Sequence, residues 1–157
     1  MTPTDPPENV TVRLATVEDA PAVADLYTAA RVDAVPQMPP ALHTNAEDRA
    51  HLAAQLAEPD VEVWVAESDG EIVGFAQCTP TFLDGLYVTP ERKGQGIGSL
   101  LLDVVDATHP DGYELWVFES NDGARRLYGR RGLVVVERTD GSGNEEKAPD
   151  LRMARRP

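Results

Sequence analysis

Three strand patterns follow one another through residues 61–88: VEVWVAE, EIVGFAQCT and FLDGLYV. Only the Ser68-Asp69-Gly70 turn separates the first two, and a turn this short asks for residues that tolerate positive φ, which marks a hairpin. Strands joined so tightly must run antiparallel, because a parallel partner needs a crossover of a dozen or more residues. The meander then meets ERKGQGIGSLLL at residues 91–102, where three glycines pass straight into apolar residues at helical spacing. The chain has to leave an antiparallel sheet and enter a helix at that stretch.

The remaining elements arrange themselves around this junction. VTVRL at residues 10–14 alternates as a half-buried strand does. Thr16, with Asp19 three residues on, caps a helix that carries Ala20, Val23, Leu26, Tyr27 and Ala30 at helical spacing. Residues 32–44 hold three prolines without a steady period and read as a long loop. Asn45 is expected to cap a second helix from Ala46 to about Ala57, with Leu52, Ala53 and Leu56 inward. Behind the glycines, Ile97, Leu100, Leu101, Val104 and Val105 predict a helix that closes near His109-Pro110. ELWVF is a strand; Ala124, Leu127 and Tyr128 share one side of a short helix ending at Gly132. LVVVE and DLRMA supply the last two strands. The order β α α β β β α β α β β implies a mixed α/β or α+β domain over residues 10–157, with a loose arm at residues 1–9.

A length of 157 residues suits one domain with a real core. No apolar run approaches the ~20 residues that span a bilayer, and MTPTDPPENV lacks the basic and apolar regions of a signal peptide, so a cytoplasmic place is expected. Cys78 is the single cysteine and sits in an apolar stretch, where a thiol behaves as a small hydrophobe. The three histidines have no ligand spacing, and no metal is expected. A formal net charge of −13 repels nucleic acid and anionic membranes and favours cationic ligands.

Glycine costs about 1 kcal/mol against alanine inside a helix, so three at a helix start need a compensating use. Gly94, Gly96 and Gly98 leave the first N–H groups of the helix unobstructed, and the helix dipole adds roughly half a positive charge there. Phosphate is the natural occupant of such a place, with Arg92 and Lys93 approaching it. A P-loop would need Gly-Lys-Ser/Thr, but Ser99 and Leu100 follow Gly98. A dinucleotide fingerprint would stand after the first strand and end in glycine, where Ser99 stands.

LYVTPERKGQGIGSLLL resembles the pyrophosphate loop of the GNAT superfamily of acetyl-CoA-dependent N-acetyltransferases, of form Arg/Gln-x-x-Gly-x-Gly/Ala. Lys93, Gly96 and Gly98 take its defining positions, with lysine a departure at the first. ESNDGARRLYGRRGL is similar to a second family pattern, Asn-x-x-Ala-x-x-x-Tyr-x-x-x-Gly-Phe, met by Asn121, Ala124, Tyr128 and Gly132, with Leu133 for phenylalanine. The element order also matches, which implies a mostly antiparallel sheet of about seven strands flanked by about four helices.

The resemblance implies acetyl transfer from acetyl-CoA to a primary amine by direct attack. Implied cofactor contacts are Leu86, Tyr87 and Val88 on the fourth strand and Lys93, Gly94, Gln95, Gly96, Ile97, Gly98 and Ser99 in the loop. Asn121, Ala124 and Tyr128 complete them, with the Val88 amide meeting the thioester carbonyl and Tyr128 protonating the leaving sulfur. For a base, Asp84 stands by period two on the face of Phe82, Leu86 and Val88; Glu119, ending the next strand, is a second candidate, and a water chain a third. Residues 32–44 fall where the family shapes its acceptor pocket, with Met38, His43, Glu47 and Asp48 as candidate lining. The family often forms dimers, although the residues mark no interface. The competing reading is a GNAT-fold module that binds acyl-CoA without turnover as a sensor or partner subunit; a dinucleotide-binding protein is a third.

Overall fold

The computed structural model describes residue 7 and residues 9–157, so the expected arm at residues 1–9 lies almost wholly outside the described residues. Four strands, β1 (Val10–Leu14), β2 (Glu62–Ser68), β3 (Glu71–Cys78) and β4 (Leu83–Val88), form an antiparallel sheet in sequence order. Three more, β5 (Tyr113–Phe118), β6 (Val134–Thr139) and β7 (Asp150–Arg155), form a second antiparallel sheet in the order β5-β7-β6. One parallel bridge, Phe82 to Glu114, joins them, beside an N–H of Glu114 that donates to Thr81 O at 3.0 Å. Beyond that bridge β4 and β5 separate, and the gap between them opens as a cavity.

Helices α1 (Ala20–Asp33) and α2 (Asn45–Leu56) cover one face of the first sheet. Val23, Ala24, Leu26 and Leu52 pack there against Val63, Val65 and Phe75. Helix α3 (Ile97–Thr108) covers the other face, and α4 (Asp122–Arg130) adds Tyr128 to the same core. Ile97, Leu101, Leu102 and Val105 of α3 are almost wholly buried, each contributing about 1.5–3 kcal/mol by leaving water. The alternation along β3 makes this possible: Phe75 points to α1 and Ala76 to α3. Gly74 lets the helix lie close, since a Cβ there would sit 3.0 Å from Ile97 Cγ2 and 3.2 Å from Leu101 Cδ1. His109 pins the far end of α3, its ring nitrogens 2.8 Å from Val105 O and 2.8 Å from Thr79 O.

Several expectations need correction in detail. The second helix begins at Asn45 itself and is capped by Thr44, whose hydroxyl accepts from Glu47 N while Glu47 reaches back to Thr44 N. This reciprocal box satisfies two free donors, where an asparagine cap would satisfy one. Ala53 is exposed, and Leu102 rather than Leu100 is among the fully buried residues of α3. A β-bulge opposite Gln77 and Cys78 interrupts period two on β4. Leu83, not Phe82, therefore joins the core with Leu86 and Val88, and Asp84 is an exposed residue of the bulge. Cys78 is buried, and burial, then Asp84 and Glu62, push its thiol up to about 12.

Candidate functional site

The separation of β4 from β5 opens a cavity of about 1110 Å³. One wall is the free edge of β4. Thr89 N donates to Val73 O at 2.9 Å, so Thr89 and Val73 are a hydrogen-bonded pair. Antiparallel pairing alternates, which turns the N–H groups of Tyr87 and Gly85 towards β3 and those of Val88 and Leu86 towards the cavity. Among the described residues, no strand lies opposite them.

The floor is the glycine loop and the start of α3. Gly94 (φ 76°) and Gly96 (φ 85°) occupy the left-handed region, which glycine adopts without penalty. Gly96 is the N-cap of α3, and no side chain caps that end, whereas Thr44 caps α2 and Asn121 caps α4 by accepting from Ala124 N. The first N–H groups of α3, at Ile97, Gly98 and Ser99, are thus left for an anion, and the loop fits a diphosphate. Lys93 lines the cavity, but its Nζ pairs with Asp33 Oδ2 at 2.9 Å on the surface. Gln95 does not line it; its Oε1 accepts from Arg92 Nε at 2.7 Å and so braces an arginine that does.

The third wall comes from β5 and α4. Asn121, Ala124 and Tyr128 line it together with Trp116, which is 44% exposed. The Tyr128 ring is buried against the core formed by Leu101, Leu115 and Leu133. Burial is the sole influence on its phenol and raises its pKa, so it stays protonated through the physiological range.

Of the base candidates, Asp84 lines the cavity, and desolvation holds its carboxyl above the usual range. Glu119 stands outside, exposed and 3.7 Å from Arg138 Nη1. Among the acceptor-loop candidates, Met38 is buried and lines the cavity. His43, Glu47 and Asp48 do not: His43 Nε2 lies 2.7 Å from Glu145 Oε1, Glu47 is spent on the Thr44 cap, and Asp48 accepts from Thr28 Oγ1.

Sequence reasoning missed Arg31, Trp116 and Glu146, all of which line the cavity. Arg31 had a signal: it follows Tyr27 by four residues on the inward side of a helix, where a charge is out of place. Glu146 had none, since it lies in the polar connection between β6 and β7.

Residues 21–133 match the model of the Acetyltransferase (GNAT) family, and the chain belongs to that family. A peptidyl-lysine N-acetyltransferase, YjaB of Salmonella typhimurium, is 35% identical over 83 residues, 52% of this chain and 57% of the relative. The chain spans about half to two thirds of the length of the first curated relatives it matches. Apo YjaB of Escherichia coli superposes with a TM-score of 0.72 at 23% identity, covering 92% of this chain and 96% of the other. YncA of Salmonella typhimurium, solved with its cofactor acetyl-CoA, superposes with a TM-score of 0.75 at 18% identity, covering 95% and 94%. The seven strands and four helices are those the resemblance implied. Among the described residues, no helix is long and apolar enough to cross a membrane.

Proposed function

We propose that this chain transfers the acetyl group of acetyl-CoA to a primary amine by direct attack. One observation carries the reading: the uncapped start of α3, the unpaired N–H groups of β4 and the Tyr128 ring open on a single cavity. When bound, acetyl-CoA supplies an acetyl thioester. The N–H groups of Ile97, Gly98 and Ser99 hold its diphosphate, with Arg92 adding charge at the rim. Leu86 and Val88 present main-chain donors to its arm, and the Val88 N–H stabilises negative charge as it grows on the carbonyl oxygen.

Proton movements then fall to two side chains. The amine must lose a proton to attack, and Asp84, poised by partial desolvation, accepts it directly or through water. The carbon–sulfur bond breaks, and the departing sulfur takes a proton from the Tyr128 phenol, which burial keeps available for donation. Glu119, held outside with Arg138, takes no part in this scheme.

Calorimetric titration with acetyl-CoA, followed by thiol release over a panel of primary amines, tests the reading. The expected result is binding at one site and turnover with at least one amine class. Binding without turnover across a broad panel would instead favour the module that holds acyl-CoA as a sensor. NAD binding in place of CoA would dismiss both.

A further inference from the structure

Arg31 is 4% exposed, near the end of α1, yet it forms no ion pair with any carboxylate among the described residues. Its Nη1 donates to Tyr27 Oη at 2.9 Å and its Nη2 to Pro39 O at 2.9 Å. Its Nε is buried without a partner, and its guanidinium lies 5.8 Å from the centre of the Tyr27 ring. Two neutral acceptors and the face of an aromatic ring leave a full positive charge without a counter-charge. Buried charges persist when paired, so a missing partner in a cavity wall points to a ligand. Arginine is also the side chain whose planar fork best matches a carboxylate.

We infer, building on the transferase reading, that the acceptor amine carries a carboxylate which Arg31 receives, as in an α-amino acid, and is not a lysine side chain within a protein. Glu146 completes the complement. It lines the same cavity from the connection between β6 and β7, and a carboxylate there attracts the ammonium end of such a substrate. The two charges act on one neighbourhood. Burial chiefly raises the pKa of Tyr87; among the lesser influences, Arg31 lowers it while Tyr128 and Glu146 raise it. Tyr27, which accepts from Arg31, packs edge-on against Tyr87 with ring centres 5.0 Å apart. A carboxylate held at Arg31 thus sits two aromatic rings from β4, whose free edge faces the thioester in the scheme above. The overall charge of −13 argues for cationic ligands at long range, but a buried guanidinium decides specificity at contact.

Thiol release measured for L-α-amino acids, their carboxamides and their decarboxylated amines tests this. The intact enzyme should prefer the amino acids by about 30-fold in kcat/KM, the usual scale for a charge-assisted contact. Arg31→Gln should abolish that preference by raising KM for the amino acids, with kcat/KM for the decarboxylated amines held within about threefold. Arg31→Lys should restore part of it. Calorimetry of an N-acetyl amino acid with the CoA-loaded protein gives a second readout: binding in the intact protein, lost in Arg31→Gln. Equal turnover of amines with and without a carboxylate in the intact enzyme would overturn the inference while sparing the transferase, whether or not the variants fold. An Arg31→Gln protein that loses all amines alike would overturn it too, leaving Arg31 a brace for the loop at Pro39. Acetyl-CoA binding with no turnover of any amine would overturn the transferase reading itself.

Discussion

The two sides of the cavity are made of different material. On the side of β4 and α3 the useful groups belong to the main chain: the N–H groups of Leu86 and Val88 and those of the first turn of α3. On the side of α1 and the connection between β6 and β7 they are side chains, Arg31 and Glu146, and the loop after α1 contacts both segments, through Pro39 to Arg31 and through His43 to Glu145. Main-chain donors are fixed by strand separation and helix start, and a replacement reaches them only by shifting the backbone itself. Side-chain donors are each one substitution from a different chemistry. The contrast teaches a division of labour consistent with the proposed function, in which the invariant portion of the ligand would meet backbone and the variable portion side chains.

Tyr128, a side chain on the wall of β5 and α4, stands apart from both sides, and its removal should have the largest effect. Tyr128→Phe keeps the buried ring but deletes the proton, and turnover should fall ~10²–10⁴-fold, the usual range for general acid catalysis, with acetyl-CoA affinity nearly unchanged. Full activity in that variant would remove the phenol from the mechanism. Gly96→Val comes next. Its φ of 85° is strained for a β-branched residue by roughly 1–3 kcal/mol, and relief of that strain must move the N–H groups that follow. Acetyl-CoA affinity by calorimetry should drop by about 30- to 100-fold. Unchanged affinity would show that the glycine loop does not hold the diphosphate.

Gly74→Ala probes the same wall from behind. The new Cβ would meet Ile97 Cγ2 at 3.0 Å and the main-chain oxygen of Tyr87 at 3.2 Å, and the second of these cannot swing aside. Overpacking of this kind costs about 1–3 kcal/mol, so the melting temperature should fall by several degrees. An unshifted melt would mean that α3 moves off the sheet at no cost, and that the wall is softer than its main-chain construction implies.

The same division explains what the sequence could reveal. The glycine spacing and the meander are local, since each depends on neighbours in the chain, and they located β4, α3 and the loop between them. Asn121, Ala124 and Tyr128 came from a pattern within one short segment, and α4 with its N-cap brings all three to the cavity. Asp84 was picked out as a candidate base by period two along β4, and it does line the cavity, but not for that reason. The bulge opposite Gln77 and Cys78 broke the alternation on which the reading relied, and a one-residue bulge leaves no mark in composition. The candidates of the acceptor loop were harder still. His43 looked like lining but turned to Glu145, 102 residues away, and Arg31, which the sequence reading passed over, is buried and donates to Pro39 O. Such contacts join distant segments, and only the assembled fold creates them.

The His43 tether is the smallest effect that can still test the side-chain wall. Glu145, and more weakly Glu47, raise the imidazole pKa above its ordinary 6.5. A group whose folded pKa is raised contributes stability that is fully present below its unfolded pKa and is lost as pH rises through the folded one. The tether between the loop of residues 34–44 and the connection between β6 and β7 should therefore hold in mild acid and loosen as pH rises through the raised imidazole pKa. Because both side chains are about half exposed, solvent screens the pair and the effect on overall stability should be slight. An NMR titration of the His43 ring reads it directly: the midpoint should lie above 6.5 in the intact protein and move down in Glu145→Gln. Amide exchange in residues 37–44, corrected for intrinsic rates, should quicken across that midpoint, while exchange in α3 stays level. Were α3 to quicken as well, the two sides of the cavity would be one cooperative unit, and the distinction between a rigid main-chain wall and an adjustable side-chain wall would fail.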